Sequence, residues 1–188
     1  KTIKNVYLKR KEKKIDKLYD WYNPDVQFVV SQYNRNISML LNKTYGNDLS
    51  NLKILDVGCG DGNFIRTLIE WGCKPKNITG IDLMKYRIRT CKKKTHSGVK
   101  FIEANFSKQF KNFDLVVANT VFTSILKSNE RKIFAQNMWN ATTANGWVMV
   151  FDFRYNNPYN KDVKKITVKD LKKLFNYPNE FLHCNLLM

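Results

Sequence analysis

From residue 52 onward the chain alternates short apolar runs with amphipathic stretches. The apolar runs fall at 53–57, 77–81, 99–104, 113–118 and 146–153, lengths that suit strands buried on both faces. Residues 62–71, 85–94 and 130–143 lie between them with the spacing of one-sided helices, and 168–175 repeats that spacing after the last run. Strands and helices in this rhythm predict βαβ units and an α/β fold. Right-handed crossovers then place helices on both faces of a mainly parallel, doubly wound sheet. The stretch 180–188 reads as the start of another strand, so the sheet is expected to lack its C-terminal strands.

The first third follows a different pattern. Asn23-Pro24-Asp25 opens a helix, with proline in its first turn, and Val26, Val29, Val30, Tyr33, Ile37, Leu40 and Leu41 keep helical spacing until Gly46-Asn47. Residues 1–46 are expected to form a basic, aromatic-dotted lead-in and helix, a cap or lid; residues 47–188 are expected to form the main domain.

Composition narrows the class. A chain of 188 residues with 43% apolar side chains builds a packed core, which excludes a disordered protein. No run approaches the ~20 apolar residues that a membrane span needs. The cysteines, Cys59, Cys73, Cys91 and Cys184, are widely spaced, and the histidines are His96 and His183. That spacing argues against both a metal centre and a disulfide framework, and a reducing, cytoplasmic setting is expected. The net charge of +17 is clustered: residues 1–17 carry eight basic and two acidic side chains, and residues 85–94 carry six basic and none acidic. Such clusters are either solvated faces or attractors for nucleic acid, anionic lipid or phosphorylated substrates, so peripheral membrane contact stays open.

The chemistry starts at Asp56-Val57-Gly58-Cys59-Gly60-Asp61-Gly62, where an apolar strand runs into alternating glycines and then a helix. Glycines here permit positive φ and let a ligand approach the backbone at a helix N-terminus. A phosphate loop would end in Gly-Lys-Ser/Thr, and a dinucleotide fingerprint would read Gly-x-Gly-x-x-Gly; neither is present. The carboxylate of Asp56 suits a cationic ligand better than a pyrophosphate. S-adenosylmethionine carries an ammonium and a sulfonium and no phosphate. Asp82 ends the next strand 20 residues after Gly62, the spacing at which a carboxylate reaches ribose hydroxyls. The alternative is an ordinary βα turn, with Asp82 capping the helix that follows.

Ile54–Gly62 with Gly80-Ile81-Asp82 resembles the first two motifs of class I S-adenosylmethionine-dependent methyltransferases. Asn119-Thr-Val-Phe-Thr-Ser-Ile-Leu126 and Asp152-Phe-Arg-Tyr-Asn-Asn-Pro158 resemble a bacterial methyltransferase-domain subfamily found among surface-polysaccharide and glycan genes. The resemblance covers residues ~23–175 and implies a Rossmann-like methyltransferase sheet. It implies that Asp56, Gly58, Cys59, Gly60 and Gly62 line the methionine half of S-adenosylmethionine, that Asp82 binds the ribose and that Leu83 lies beside the adenine. Within Glu103-Ala104-Asn105-Phe106, Asn105 stands where such enzymes commonly have an aspartate facing the adenine amino group; an amide oxygen accepts the same bond. Asn119 and Thr120 are implied at the edge of the methyl-donor pocket, and Arg35 over the cofactor carboxylate, unless its helix simply faces solvent.

Methyl transfer is a displacement at an activated carbon, so the protein mainly positions the acceptor and, for a hydroxyl, removes a proton. Asn119-Thr-Val-Phe122 is not the Asp/Asn-Pro-Pro-Tyr motif of amino-nitrogen methylation, and no Pro-Cys nucleophile occurs. Elimination leaves an oxygen acceptor, and the resemblance points to a small-molecule, carbohydrate or glycolipid one. Nucleic acid is the second choice. Asp152, Arg154 and Tyr155 are the candidate catalytic residues, with Asp152 as base and Arg154 as anion clamp. Equally, Asp152 and Arg154 pair to fix the Asn156-Asn157-Pro158 turn. Phe122 and Thr123 are pocket wall or core and cap; Tyr19, Trp21 and Tyr22 are lid or packing. Lys164-Lys165 and Lys172-Lys173 read as solvated edges.

Overall fold

A computed structural model describes residues 23–106, 110–158, 160 and 162–175, with Asn5 and Leu8. The aromatic trio Tyr19, Trp21 and Tyr22, the basic cluster of 1–17 apart from those two residues, and the strand expected at 180–188 lie outside the described residues.

Helix α1 spans Pro24–Tyr45. Asn23 caps it, its Oδ1 accepting the Asp25 N–H at 3.0 Å, and Gly46 ends it at φ +72°. Tyr33, Ile37 and Leu41, each one turn apart, form its buried stripe. This helix belongs to one compact unit, and Leu49–Asn176 form another.

In the second unit β1 (Ile54–Val57), β2 (Ile78–Asp82), β3 (Lys100–Glu103), β4 (Phe113–Asn119) and β5 (Thr142–Phe151) make one sheet in the order β3-β2-β1-β4-β5. Every pairing is parallel. Helices α2 (Asn63–Glu70) and α3 (Lys85–Lys94) carry the chain from β1 through β2 to β3; α4 (Ser128–Ala141) carries it from β4 to β5 in the opposite sense along the sheet. Right-handed crossovers of opposite sense put the two helix sets on opposite faces, as the sequence pattern predicts. A short helix α5 (Val168–Leu174) packs on α4. Thr167 starts α5 with a capping box, exchanging hydrogen bonds with Asp170.

All of β1 is buried, as a central strand covered on both faces requires. On one face Leu55, Val57, Val116 and Ala118 meet Ala135, Met138 and Ala141 of α4, together with Phe122 and Ile166. Burying each large side chain of this kind contributes about 1.5–3 kcal/mol. The expected elements agree with the observed ones to within about two residues, except at β5. That strand begins at Thr142 rather than 146, straight out of α4, and Thr142 pairs with Phe113. The register slips between Phe113 and Leu115, and Gly146 lies where a Cβ would come within 2.9 Å of the Phe113 carbonyl oxygen.

Candidate functional site

The strand order reverses at β1, whose neighbours are β2 and β4, so the crevice at their carboxyl ends is the topological switch point of the sheet. The chain turns there through Gly58, Gly60 and Gly62 at φ +75°, +54° and +78°. The Gly58 and Cys59 N–H groups both donate to the Ile81 carbonyl, at 2.7 and 2.9 Å, which ties the loop to β2. A Cβ on Gly58 would sit 2.6 Å from Val121 Cγ2, so the loop passes too close to the segment after β4 for any side chain. No side chain caps α2, whose N-cap is Gly62, so its first-turn N–H groups have no side-chain acceptor at the cap.

Two carboxylates flank the loop. Asp56 is 1% exposed, and its Oδ1 is a buried polar atom without a hydrogen-bond partner. Burial first, and the charge of Asp82 second, push its pKa up to about 7. Asp82 is buried too, with Oδ2 accepting the Gly60 N–H at 3.0 Å and Oδ1 the Met84 N–H at 2.8 Å. Arg87 Nη1 lies 3.8 Å from Oδ2. Burial raises the Asp82 pKa, while Arg87 and the two backbone donors pull it down. Asp82 is not the cap of α3, whose N-cap is Met84; its Oδ1 holds the turn into that helix while Oδ2 accepts from the glycine loop.

Several of the other expected residues gather here. Leu83 is half-buried beside Asp82, and the Ala104 N–H donates to the Asp82 carbonyl at 3.1 Å. Asn105 is exposed next to it. Phe106 turns away into the core, stacked on Phe110 at 5.8 Å and edge-on to Phe134 at 5.4 Å. Cys59 and Cys91 are buried thiols, the Cys91 Sγ lying 3.1 Å from the Gly60 carbonyl. Arg35 is on α1, in the other compact unit.

Asn119 ends β4 beside Phe151 of β5. Thr120 follows in the left-handed region at φ +54°, exposed, with its N–H on the Phe151 carbonyl at 2.7 Å. A β-branched residue held there is strained, and such strain is concentrated at functional turns. Beyond β5, Asp152 Oδ2 accepts the Thr123 N–H at 3.1 Å, and Oδ1 accepts the Thr123 hydroxyl at 2.7 Å and the Phe153 N–H at 2.9 Å. Thr123 is 2% exposed and Phe122 fully buried, edge-on to Phe134 at 5.0 Å, so both belong to the packed turn. Asn156 Oδ1, accepting the Lys165 N–H at 2.9 Å, fastens the segment that follows. Arg154 and Tyr155 are exposed, Tyr155 to 73%.

Arg131, which the helical pattern of 130–143 does not single out, is 7% exposed on α4. It donates to the carbonyls of Ile125 (2.7 Å), Lys165 (3.1 Å) and Lys164 (2.6 Å), joining the turn after β4 to the segment after β5.

Residues 55–150, half of the chain, match the methyltransferase domain family, and the chain belongs to that family. An 87-residue stretch, 44% of the chain, is 37% identical to the ubiquinone biosynthesis O-methyltransferase of Rickettsia typhi, and spans 34% of that protein. The chain thus covers about a third of this curated relative. Among solved structures, magnesium protoporphyrin IX methyltransferase from Synechocystis PCC 6803, with S-adenosylhomocysteine bound, superposes with a TM-score of 0.67 over 92% of this chain and 87% of that one, at 12% identity. The PH0226 protein of Pyrococcus horikoshii OT3 gives 0.57 over 72% of this chain and 61% of that one, at 20% identity. The fold is that of class I S-adenosylmethionine-dependent methyltransferases, and S-adenosylmethionine is the cofactor that this family and fold assign to the chain.

Proposed function

We propose that the chain transfers a methyl group from S-adenosylmethionine to an oxygen of a carbohydrate, glycolipid or other small-molecule acceptor. The observation that carries the cofactor half is the unpartnered Oδ1 of Asp56, a buried carboxylate oxygen beside a glycine cradle. Such a group is costly unless a cation or donor meets it, and a methionine ammonium is of that kind. When bound, S-adenosylmethionine supplies a methyl carbon activated by its sulfonium. Asp56 and the Gly58–Gly62 loop hold the methionine half, Asp82 accepts from the ribose hydroxyls, and Leu83, Ala104 and Asn105 border the adenine. Asn119 and the strained Thr120 form the edge towards the acceptor.

On the acceptor side Arg154 and Tyr155 are exposed beyond the carboxyl end of β5, where an anionic or hydroxylated acceptor would meet them. Three donors already engage the Asp152 carboxylate, which favours a role in fixing that floor over one as a mobile base. The absence of an amino-nitrogen motif after β4, together with the stretch similar to an O-methyltransferase, supports oxygen as the acceptor atom. The polysaccharide-gene resemblance supports a glycan.

A second reading, RNA methylation, draws on α3, where Lys85, Arg89, Lys92, Lys93 and Lys94 are all exposed. Incubation with methyl-tritiated S-adenosylmethionine and separate panels of glycans, hydroxylated small molecules and RNA distinguishes the two. Label on a hydroxyl acceptor is the expected result; label on RNA alone overturns the oxygen-acceptor reading.

A further inference from the structure

Two arginines that the cofactor motifs do not include face the glycine loop: Arg66 Nη1 donates to the Asp61 carbonyl at 2.9 Å and lies by Gly62, and Arg87 lies by Gly60 and Asp82. Arg87, in the first turn of α3, extends back along the loop: its Nη1 is 3.8 Å from Asp82 Oδ2 and 3.6 Å from the point where a Cβ on Gly60 would stand. Its Nε donates to the Tyr86 hydroxyl at 3.3 Å, and its guanidinium carbon lies 6.0 Å from that ring's centre, so the neighbouring aromatic steadies it. Arg87, the Gly60 N–H and Asp82 Oδ2 therefore form one cluster.

We propose that Arg87 is a positioning residue for the ribose-binding carboxylate, holding Asp82 as an anion with Oδ2 on the Gly60 N–H. This rests on the reading of Asp82 as the ribose acceptor. A carboxylate that accepts two hydroxyl protons has to be ionised, and the surroundings of Asp82 oppose ionisation. Burial does so, and the charge of Asp61 in the loop adds to it; Asp56 lies on the neighbouring β1, and Glu103 is in register with Asp82 on β3. Cys59 in the loop is a thiol pushed up by the hydrogen bond with Cys91, by burial and by Asp56 and Asp82, so it adds no charge. Arg87 is the cation that opposes these effects at Asp82, and it approaches Oδ2 from the helix side, while Oδ1 accepts the Met84 N–H.

The sign follows. Without Arg87, Asp82 holds its proton to a higher pH, and cofactor affinity falls off earlier as pH drops. Calorimetric titration of S-adenosylhomocysteine from about pH 5.5 to about pH 8.5 into the chain, Arg87→Gln, Arg87→Lys and Asp82→Asn reads this directly. We expect Arg87→Gln to bind roughly fivefold more weakly at the acid end, to recover to within about twofold at the alkaline end, and Arg87→Lys to follow the parent profile. Asp56 titrates in all but leaves the difference between Arg87 variants unchanged. An Arg87→Gln profile parallel to the parent's overturns the proposal while leaving the ribose reading intact, provided Asp82→Asn still weakens binding. If Asp82→Asn binds as well as the parent, the ribose reading falls and takes this proposal with it.

Discussion

Asp56, one residue before the end of β1, and Asp82, the last residue of β2, lie on neighbouring parallel strands, Asp56 in register with Gly80, and the charge of Asp82 adds to burial in raising the Asp56 pKa to about 7. Two acids are thus held at the switch point of the sheet with little solvent to separate them. Such a pair is costly in the free protein and is relieved when a cationic, hydroxylated ligand meets both.

That cost has a sign and a window. The Asp56 pKa is raised from 3.8 to about 7 in the folded chain. A raised carboxyl binds its proton more tightly in the folded state, so its contribution to stability is fully present below pH 4 and is lost as pH climbs to about 7. The loss is on the order of 4 kcal/mol. Asp56→Asn is expected to be more stable than the parent at pH 8, with the gap closing towards pH 5; urea melts at both pH values measure it. Binding of S-adenosylmethionine runs the other way, strengthening in the parent as pH rises through about 7 and staying flat in Asp56→Asn apart from any change that Asp82 imposes on both.

Gly58→Ala tests the cradle. The position needs φ +75° and leaves 2.6 Å between a Cβ and Val121 Cγ2. Strain and overlap together are expected to cost about 2–3 kcal/mol and to weaken cofactor binding at least tenfold. In Gly58→Ala/Val121→Ala the overlap is gone but the backbone strain stays, so thermal melts should show partial recovery. Full recovery would mean that the left-handed turn is dispensable.

The Asp152–Thr123 contact separates scaffold from chemistry. Thr123→Val removes the 2.7 Å hydroxyl bond and leaves the carboxylate in place. As a clasp, the pair loses about 1–2 kcal/mol in Thr123→Val and more in Asp152→Asn, whose NH2 faces backbone donors, with turnover falling in step with stability. If Asp152 is a general base, Asp152→Asn lowers kcat by about 10²-fold or more while Thr123→Val leaves it near the parent value.

Arg131→Met should be among the most destabilising single changes in α4. It leaves the Ile125, Lys164 and Lys165 carbonyls without their donor. A loss of about 2–4 kcal/mol is expected, seen as a lower urea midpoint with an unchanged slope.

The positive-φ glycine turn and the two acids beside it were legible because their signals are local. Three glycines at alternate positions, an acid before them and an acid at the end of the next apolar run lie within residues 56–82. The bounds of α3 were legible for the same reason, since apolar Ile88 and Cys91 sit on an otherwise charged stretch. The start of β5 was not: α4 runs into Thr142 with no turn residue between, and the register slip at Phe113/Leu115 belongs to the partner strand. Arg131 was hidden because its acceptors are carbonyls, and its partners at 164–165 lie more than 30 residues away. An arginine in an amphipathic helix looks solvated until the fold buries it. Phe106 sits in the stretch expected near the adenine, yet packing against Phe134 turns its ring into the core. Arg87 went unremarked within a basic run because only its reach back to Gly60 and Asp82 sets it apart from its neighbours.

The most direct test is calorimetric titration of S-adenosylhomocysteine into the chain and into Asp82→Ala at neutral pH, with circular dichroism confirming that both are folded. Saturable one-site binding to the parent, weakened at least about tenfold in the variant, is the predicted outcome. Equal affinity in the two proteins, or no binding to the folded parent, would contradict a cofactor site at the carboxyl ends of β1 and β2.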